Sequence, residues 1–249
     1  AKLDVPPSAR AAVWATILDI DVCAAERRYA AIDKDAPGAS DHQLELDIPR
    51  CHQYHELLSS PAGHRRFRRV LKAWVADNAP DYVYWQGLDS VLAPFLALFF
   101  DNEAMAFACL SAFIDAHLRE YYRPDNALFL QENLLIFRQL LAYHDPQLAK
   151  HLFRIDFQPD LYAIPWFLTM FTHIFPLERV YPIWDTVLVA PHGLAHFVAV
   201  ALMKQMRDVL LPLDFNTSIL LFSNLPAIDI HAAIADARRM YDSTPMSLS

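Results

Sequence analysis

Residues 62–76 read "AGHRRFRRVLKAWVA", and their apolar side chains recur at a helical spacing. Phe67, Val70, Leu71, Trp74 and Val75 stand at i, i+3, i+4, i+7 and i+8, so an α-helix places all five on one face. The intervening residues are basic or small. The segment therefore predicts an amphipathic helix with its apolar face in a protein core.

The same kind of signal continues along the chain. Leucine and phenylalanine repeat at helical spacing over residues 130–141. In "DPQL", Asp145 is suited to cap a helix that Pro146 opens at its first position. In "FPLERV", Pro176 opens another helix and Glu178 falls in its first turn, near the positive end of the helix dipole.

The composition favours a fold without β-structure. Only 4 glycines occur in 249 residues, although tight hairpin turns consume glycine, and no stretch shows the sustained alternation of a half-buried strand. The segment at 31–43, rich in Asp, Pro, Gly and Ser, predicts a loop inside the domain. We expect an all-α fold of about a dozen helices, forming one multi-helix domain over residues 1–249.

Charge and cysteine content exclude several classes of function. The net charge is −8, which argues against a nucleic-acid partner because phosphate contacts require a basic face. Cys23, Cys51 and Cys109 lie far apart, a pattern that supports neither a disulfide framework nor a zinc site and fits a reducing cytosol. The best candidate for a membrane span, residues 91–100, is ten residues long, too short to cross a bilayer.

Common catalytic and cofactor motifs are also missing from the sequence. The glycines are too far apart for a phosphate-binding loop, and no nucleophile elbow of the GxSxG type occurs. "HGLAH", residues 192–196, has two histidines four residues apart but lacks the glutamate of a zinc-protease helix. We expect two ordinary helix histidines there and no metal site. The chain has no recognisable hydrolase site and no cofactor of its own.

The basic side of the helix at 62–76 allows two interpretations. The simpler one is the solvated side of an amphipathic helix, and the other is a surface for a partner or for anionic lipid. The simpler interpretation is preferred.

Three short motifs follow one another in the first third of the chain. "PPSARAAVW", residues 6–14, has Arg10 and Trp14 in an RxxxW spacing. "LELDIPRC", residues 44–51, has a hydrophobic residue followed by Asp47 and Arg50 at intervals of three, and "YWQG", residues 84–87, contains a YxQ element. Together and in this order the motifs resemble those of the TBC domain, the all-helical module of Rab GTPase-activating proteins. Residues 163–185, with WFL, FPL and WD in sequence, are similar to its second half.

Some positions depart from the usual pattern of this family. Leu44 stands where isoleucine is common, "CHQYH" follows Arg50, and Pro165 precedes Trp166. These features are similar to the TBC module of the pseudokinase-containing branch. They put the choice of partner in question more than catalytic competence.

The resemblance implies a dual-finger mechanism of GTPase activation. Arg50 matches the arginine finger, whose guanidinium stabilises charge developing on the γ-phosphate, an effect on the order of 10³–10⁵ in rate. Gln86 matches the glutamine finger, because a primary amide both accepts from a water and donates to a phosphate oxygen. The implied partner is a GTP-bound Rab-family GTPase, which itself carries GTP and Mg²⁺. The structural alternative for Gln86 is a core amide bonded to neighbouring backbone, and for Arg50 a surface salt bridge.

The remaining motif residues are expected to support these two. Asp47 either holds the Arg50 guanidinium or caps the following segment, and Pro49 biases Ile48 towards an extended conformation that ends the preceding helix. Tyr84 and its neighbour Trp85 anchor the Gln86 segment.

Three other motif residues have expected roles in the fold around the site. Gly87 allows another backbone to approach closely. Trp14 is expected in the core, and Arg10 is expected to brace the Asp47–Arg50 segment through a buried pair.

Two other functions remain open at this point. A TBC module can bind a Rab as an effector or scaffold without accelerating hydrolysis, and a general helical interaction domain would show no preference for the GTP-loaded state. Under the main interpretation we expect a cytoplasmic protein that reaches membranes only indirectly, through the Rab. Because the chain begins with Ala1 and not Met, we also expect it to be part of a longer protein.

Overall fold

The computed structural model describes residues 5–245, in which all regular secondary structure is helical and no β-strand occurs. The all-α prediction is confirmed. Within the described region there are fifteen α-helices, more than the dozen expected because several are only four or five residues long. Their bounds are α1 Pro7–Ile17, α2 Val22–Ala31, α3 Asp41–Asp47, α4 Glu56–Ser59, α5 Pro61–Asn78, α6 Leu88–Leu98, α7 Glu103–Phe113, α8 Ala127–His144, α9 Pro146–Arg154, α10 Ile164–Leu168, α11 Leu177–Val187, α12 Leu194–Gln205, α13 Arg207–Leu210, α14 Phe215–Ser223 and α15 Ile230–Ser243.

The chain divides into two compact units. The first runs through Asn126 and is completed by Leu168–Leu188, and the second comprises Ala127–Phe167 together with the chain from Val189 onward. All seven residues singled out in the three motifs lie in the first unit. The prediction of one domain over residues 1–249 stays a prediction.

The helix α5 confirms the pattern from which the fold class was predicted. Phe67, Val70, Leu71 and Trp74 are buried, and Val75 is half-buried at the edge of the same face. The helix begins where Ser60 accepts a hydrogen bond from the backbone of the first turn. Burying four large side chains from one helix ties it firmly to the core of the first unit.

The basic side of α5 is partly neutralised within the chain. Arg66 and Arg69 both contact Glu103, and Lys72 contacts Asp41 at 3.0 Å. Since these charges already have intramolecular partners, the structure favours the simpler interpretation of a solvated helix face.

Cap predictions further along the chain are confirmed as well. The Asp145 side chain accepts from the backbone N–H of Leu148 at 3.0 Å, and α9 begins at Pro146. Pro176 immediately precedes the first residue of α11. Within residues 5–245, none of the helices combines the length and apolar character needed to cross a membrane.

Candidate functional site

A cleft of about 450 Å³ lies in the first unit, and both predicted finger residues line it. Arg50 contributes from the turn that follows α3, and Gln86 from the residues just before α6. The opposite wall is the segment from Thr172 to Pro176, which leads into α11. The fold therefore brings together two residues that are distant in sequence.

The Arg50 side chain is held at its base and open at its tip. Its Nε donates to the Leu46 carbonyl at 2.8 Å and its Nη2 donates to Asp47 Oδ1 at 2.6 Å. The side chain is nevertheless 62% exposed. A guanidinium has five N–H donors, and the described residues of this chain engage two of them. Three donors therefore remain for another molecule.

The backbone conformation just before Arg50 differs from the one predicted from the sequence. Ile48 has φ −53° and ψ −46°, so it is helical and not extended. The reason is that Pro49 sits inside a 3₁₀ turn, Ile48–Arg50, which continues α3 directly, and a proline near the start of such a turn loses no hydrogen bond. Arg50 still lies at the end of a turn, as expected, but the helical path continues one turn further.

Asp47 is the connection between the two finger segments. Its carboxylate is almost fully buried and accepts from Arg50, from Gln43 Nε2 at 2.9 and 3.0 Å, and from the Tyr84 hydroxyl at 2.9 Å. Tyr84 lies two residues before Gln86. One buried carboxylate thus holds the guanidinium and also anchors the segment that carries the amide.

Gln86 is exposed, and no hydrogen bond engages its amide among the described residues. The alternative of a bonded core amide is therefore wrong. Its neighbours are fixed on both sides, because Trp85 Nε1 donates to the Arg123 carbonyl at 3.0 Å and the Gly87 N–H donates to Asp89 Oδ1 at 3.1 Å. A free amide on an anchored backbone is available to a partner.

Gly87 has a different role from the one expected. It is buried, has φ +109°, and precedes α6, and a Cβ there would meet Thr169 Cγ2 at 2.7 Å. Glycine is required by the left-handed backbone and by this contact within the chain, not by the approach of another backbone.

Arg10 and Trp14 support the first unit through a partner that was not predicted. Arg10 Nη2 lies 3.0 Å from Asp185 Oδ2, Trp14 Nε1 donates to Asp185 Oδ1 at 2.7 Å, and both side chains are buried. The expectation of a pair with the Asp47–Arg50 segment is wrong. The core position of Trp14 is confirmed, and its ring packs edge to face with Phe95 and at a tilt against Trp184.

Beneath the fingers lies a small buried polar network. Burial, together with the negative charge of Asp47, raises the pKa of Asp89, while a hydrogen bond from Cys51 opposes that rise. Burial and the Asp89 charge raise the pKa of the Cys51 thiol, so it stays protonated. Burial and the two nearby carboxylates also raise the pKa of Tyr84, which keeps its hydroxyl as a donor to Asp47.

Asp89 and Cys51 were not identified as site residues from the sequence. A signal for Asp89 exists, because an acidic residue in the first turn of a helix is favoured by the dipole and by capping. For the buried contact with Cys51 there is no sequence signal.

Residues 192–196 are not a metal-binding helix. Gly193, at φ +94°, precedes α12, so His192 lies outside the helix and the two histidines do not share one helical face. His196 packs against Phe167 at 4.8 Å between ring centroids. No group of three metal-ligating side chains occurs in the part of the chain that the structure describes.

Comparison with known proteins identifies the family. A sequence model of the Rab-GTPase-TBC domain matches residues 7–211, and the chain belongs to this family. It is 53% identical over 247 residues to the TBC domain-containing protein kinase-like proteins of Gallus gallus and Homo sapiens, covering 99% of this chain and 27% of each relative. The Dictyostelium discoideum protein of the same name is 46% identical over 247 residues, 99% of this chain and 24% of the relative. The chain therefore spans about a quarter of the length of these relatives.

Solved structures confirm the fold. The crystal structure of the Ypt/Rab-GAP domain of Gyp1p superposes with a TM-score of 0.85 at 20% identity, covering 96% of this chain and 90% of that one. The Chlamydomonas flagellar RabGAP TBC domain gives a TM-score of 0.79 at 23% identity, covering 96% and 81% of the two chains.

Proposed function

We propose that this chain is the GTPase-activating domain for a Rab-family GTPase and that it inserts Arg50 and Gln86 beside the partner's nucleotide. The observation that carries the proposal is the shared cleft, in which an exposed guanidinium and an unbonded amide are held on anchored backbone. Family membership supports the class of partner.

The proposed division of labour follows from the chemistry of the two groups. Arg50 keeps three N–H donors for oxygens that gain negative charge, and a cation placed this way contributes on the order of 10³–10⁵ in rate. Gln86 orients the attacking water, since one amide can accept and donate at once. GTP and Mg²⁺ belong to the GTPase, so this chain supplies only side chains. Contact with a membrane is then indirect, through the Rab of a cytoplasmic complex.

A second function uses the same surface without catalysis. Arg50 already has two intramolecular acceptors, Leu46 and Asp47, and an arginine that stays bound to them would allow a Rab to dock without being accelerated. The domain would then be an effector or scaffold module.

Phosphate release from a panel of GTP-loaded Rabs tests the two functions. Wild type is compared with Arg50→Ala and Gln86→Ala, with the exposed Arg65→Ala and Gln131→Ala as matched controls outside the cleft. Activation by wild type and the controls, lost by about 10³-fold in Arg50→Ala, supports the activating function. Binding of a GTP-loaded Rab without any acceleration would assign the domain to the effector function instead.

A further inference from the structure

The residues that follow Arg50 make a second connection to the cleft wall. Within this loop, residues 51–54, the hydroxyl of Tyr54 lies 2.7 Å from the backbone nitrogen of Leu177 and 2.8 Å from Nδ1 of His52. Leu177 is the first residue of α11. The hydroxyl therefore joins the Arg50 loop to a helix that is far away in sequence.

The direction of one hydrogen bond in this bridge is fixed. The Leu177 amide can only donate, so the Tyr54 oxygen accepts from it, and the same hydroxyl shares a second hydrogen bond with Nδ1 of His52. Burial lowers the pKa of His52 to about 4, and the electrostatic effect of the nearby His173 and His55 lowers it further. His52 is therefore neutral near pH 7.

A further hydrogen bond connects this loop to the turn that carries Arg50. Gln53 Nε2 donates to the Pro49 carbonyl at 2.7 Å, which closes the loop onto the 3₁₀ turn. His52 has φ +44°, a left-handed conformation that is unfavourable for a residue with a side chain and persists only where the surroundings impose it. The backbone of residues 51–54 is therefore held in one conformation.

We propose that Tyr54 is a positioning residue for Arg50. Asp47 holds the guanidinium from the helix side, and the Tyr54 hydroxyl holds the backbone on the other side of Arg50 by fixing the loop to the start of α11. This inference rests on the proposed function. It assigns a role to the "CHQYH" segment, which departs from the usual pattern of the family.

The test is Tyr54→Phe, which removes one oxygen and leaves the ring. In single-turnover hydrolysis with a responding Rab, we expect the maximal rate to fall roughly 5- to 50-fold. This is less than the roughly 10²-fold that a 1 Å displacement of a catalytic group can cost, because Asp47 still holds the guanidinium. The domain concentration at half-maximal rate should change by less than about twofold. Tyr143→Phe is the matched control, since Tyr143 is 50% exposed and Tyr54 52%.

A double-mutant cycle shows whether the effect passes through Arg50. On an Arg50→Ala background, Tyr54→Phe should cause no further loss. The inference is overturned if Tyr54→Phe keeps the wild-type rate, if it changes only the half-maximal concentration, or if its full effect persists without Arg50. The second of these results would make Tyr54 a direct contact for the partner.

A measurement without any GTPase separates this inference from the proposed function. In the ¹⁵N-arginine-labelled chain, the Nε–H of Arg50 should be more mobile in Tyr54→Phe than in wild type, with a lower order parameter. An unchanged order parameter overturns the inference even when no Rab responds to the wild-type domain, a result that by itself would reject only the proposed function.

Discussion

Deleting one partner of the buried ion pair between Arg10 and Asp185 should destabilise the first unit strongly. Both Asp185 oxygens are used, because Arg10 donates through Nε and Nη2, Trp14 Nε1 donates at 2.7 Å, and the Val5 N–H donates at 3.3 Å. The side chains are 6% and 0% exposed. Removing the carboxylate leaves a buried cation and a buried indole N–H without their main acceptor.

The size of the effect follows from those contacts. Breaking a buried pair by deleting one partner destabilises by about 3–5 kcal/mol, so we expect this loss for Asp185→Ala. Arg10 keeps the Val5 carbonyl at 2.7 Å and the ring of Tyr181, which places the expectation nearer the lower end. Asp185→Asn keeps an acceptor oxygen for Trp14 but loses the charge and places an NH₂ donor against the donors of Arg10, so about 2–3 kcal/mol is expected.

Urea unfolding followed by tryptophan fluorescence is the assay. Four of the five tryptophans lie in the first unit, so the signal reports mainly on the unit that contains Asp185. The midpoint should fall with an unchanged slope, and the melting temperature should fall by about 6–20 °C for Asp185→Ala, at roughly 2–4 °C per kcal/mol in a chain of this size.

A double variant decides whether the unpaired charge is the cause. Arg10→Met combined with Asp185→Asn removes both charges and keeps an acceptor for Trp14, so it should be more stable than Asp185→Asn alone by about 1 kcal/mol or more. If the two substitutions simply add, or if Asp185→Asn destabilises by less than about 1 kcal/mol, the reasoning about the buried pair is refuted.

Three further predictions concern the cleft. Asp47→Asn keeps the side-chain volume but weakens the charge-assisted hydrogen bonds to both finger segments, so it should destabilise the chain by about 1.5–3 kcal/mol in urea unfolding. An effect near zero would contradict the role of Asp47 as the connection between the Arg50 and Gln86 segments. Gly87→Ala should destabilise the chain by about 1–3 kcal/mol more than Gly193→Ala does. Both glycines have positive φ, but only at position 87 would a Cβ press against Thr169. Equal losses of stability in the two variants would contradict this prediction. The pKa of His52 is about 4 in the folded chain and 6.5 in the unfolded chain, so the unfolded state binds more protons between pH 4 and 6.5, and stability should rise with pH across this window by at most about 3 kcal/mol. The variant His52→Asn, in which asparagine tolerates the left-handed backbone, should flatten that rise when unfolding is measured at several pH values. An unaltered slope of stability against pH would contradict this prediction.

The sequence predicted what depends on local pattern. The helix at 61–78 and the cap at Asp145 follow from side-chain periodicity and from hydrogen bonding within one turn, so they can be predicted without tertiary information. The extended conformation expected at Ile48 failed because the preference of a residue before proline is a bias of only modest energy. Here the 3₁₀ turn continues α3 and outweighs it.

Contacts between distant segments could not be predicted in the same way. The spacing of Arg10 and Trp14 shows that they share a helix face, but not that their acceptor is Asp185 near the other end of the first unit. Likewise, the motif shows that Asp47 and Arg50 are one turn apart, but not that Tyr84 donates to the same carboxylate. Tertiary packing decides which distant side chains form such pairs, so the pairs cannot be predicted from one sequence by local pattern.

The three motifs are informative because their residues separate into two physical groups. Arg50 and Gln86 are exposed and keep unused hydrogen-bonding capacity, whereas Asp47, Gly87 and Trp14 are buried. In the free chain water solvates these unused donors and acceptors, so they add little to stability. Under the proposed function, a GTPase partner would complete those contacts, and the buried residues hold Arg50 and Gln86 in place for it.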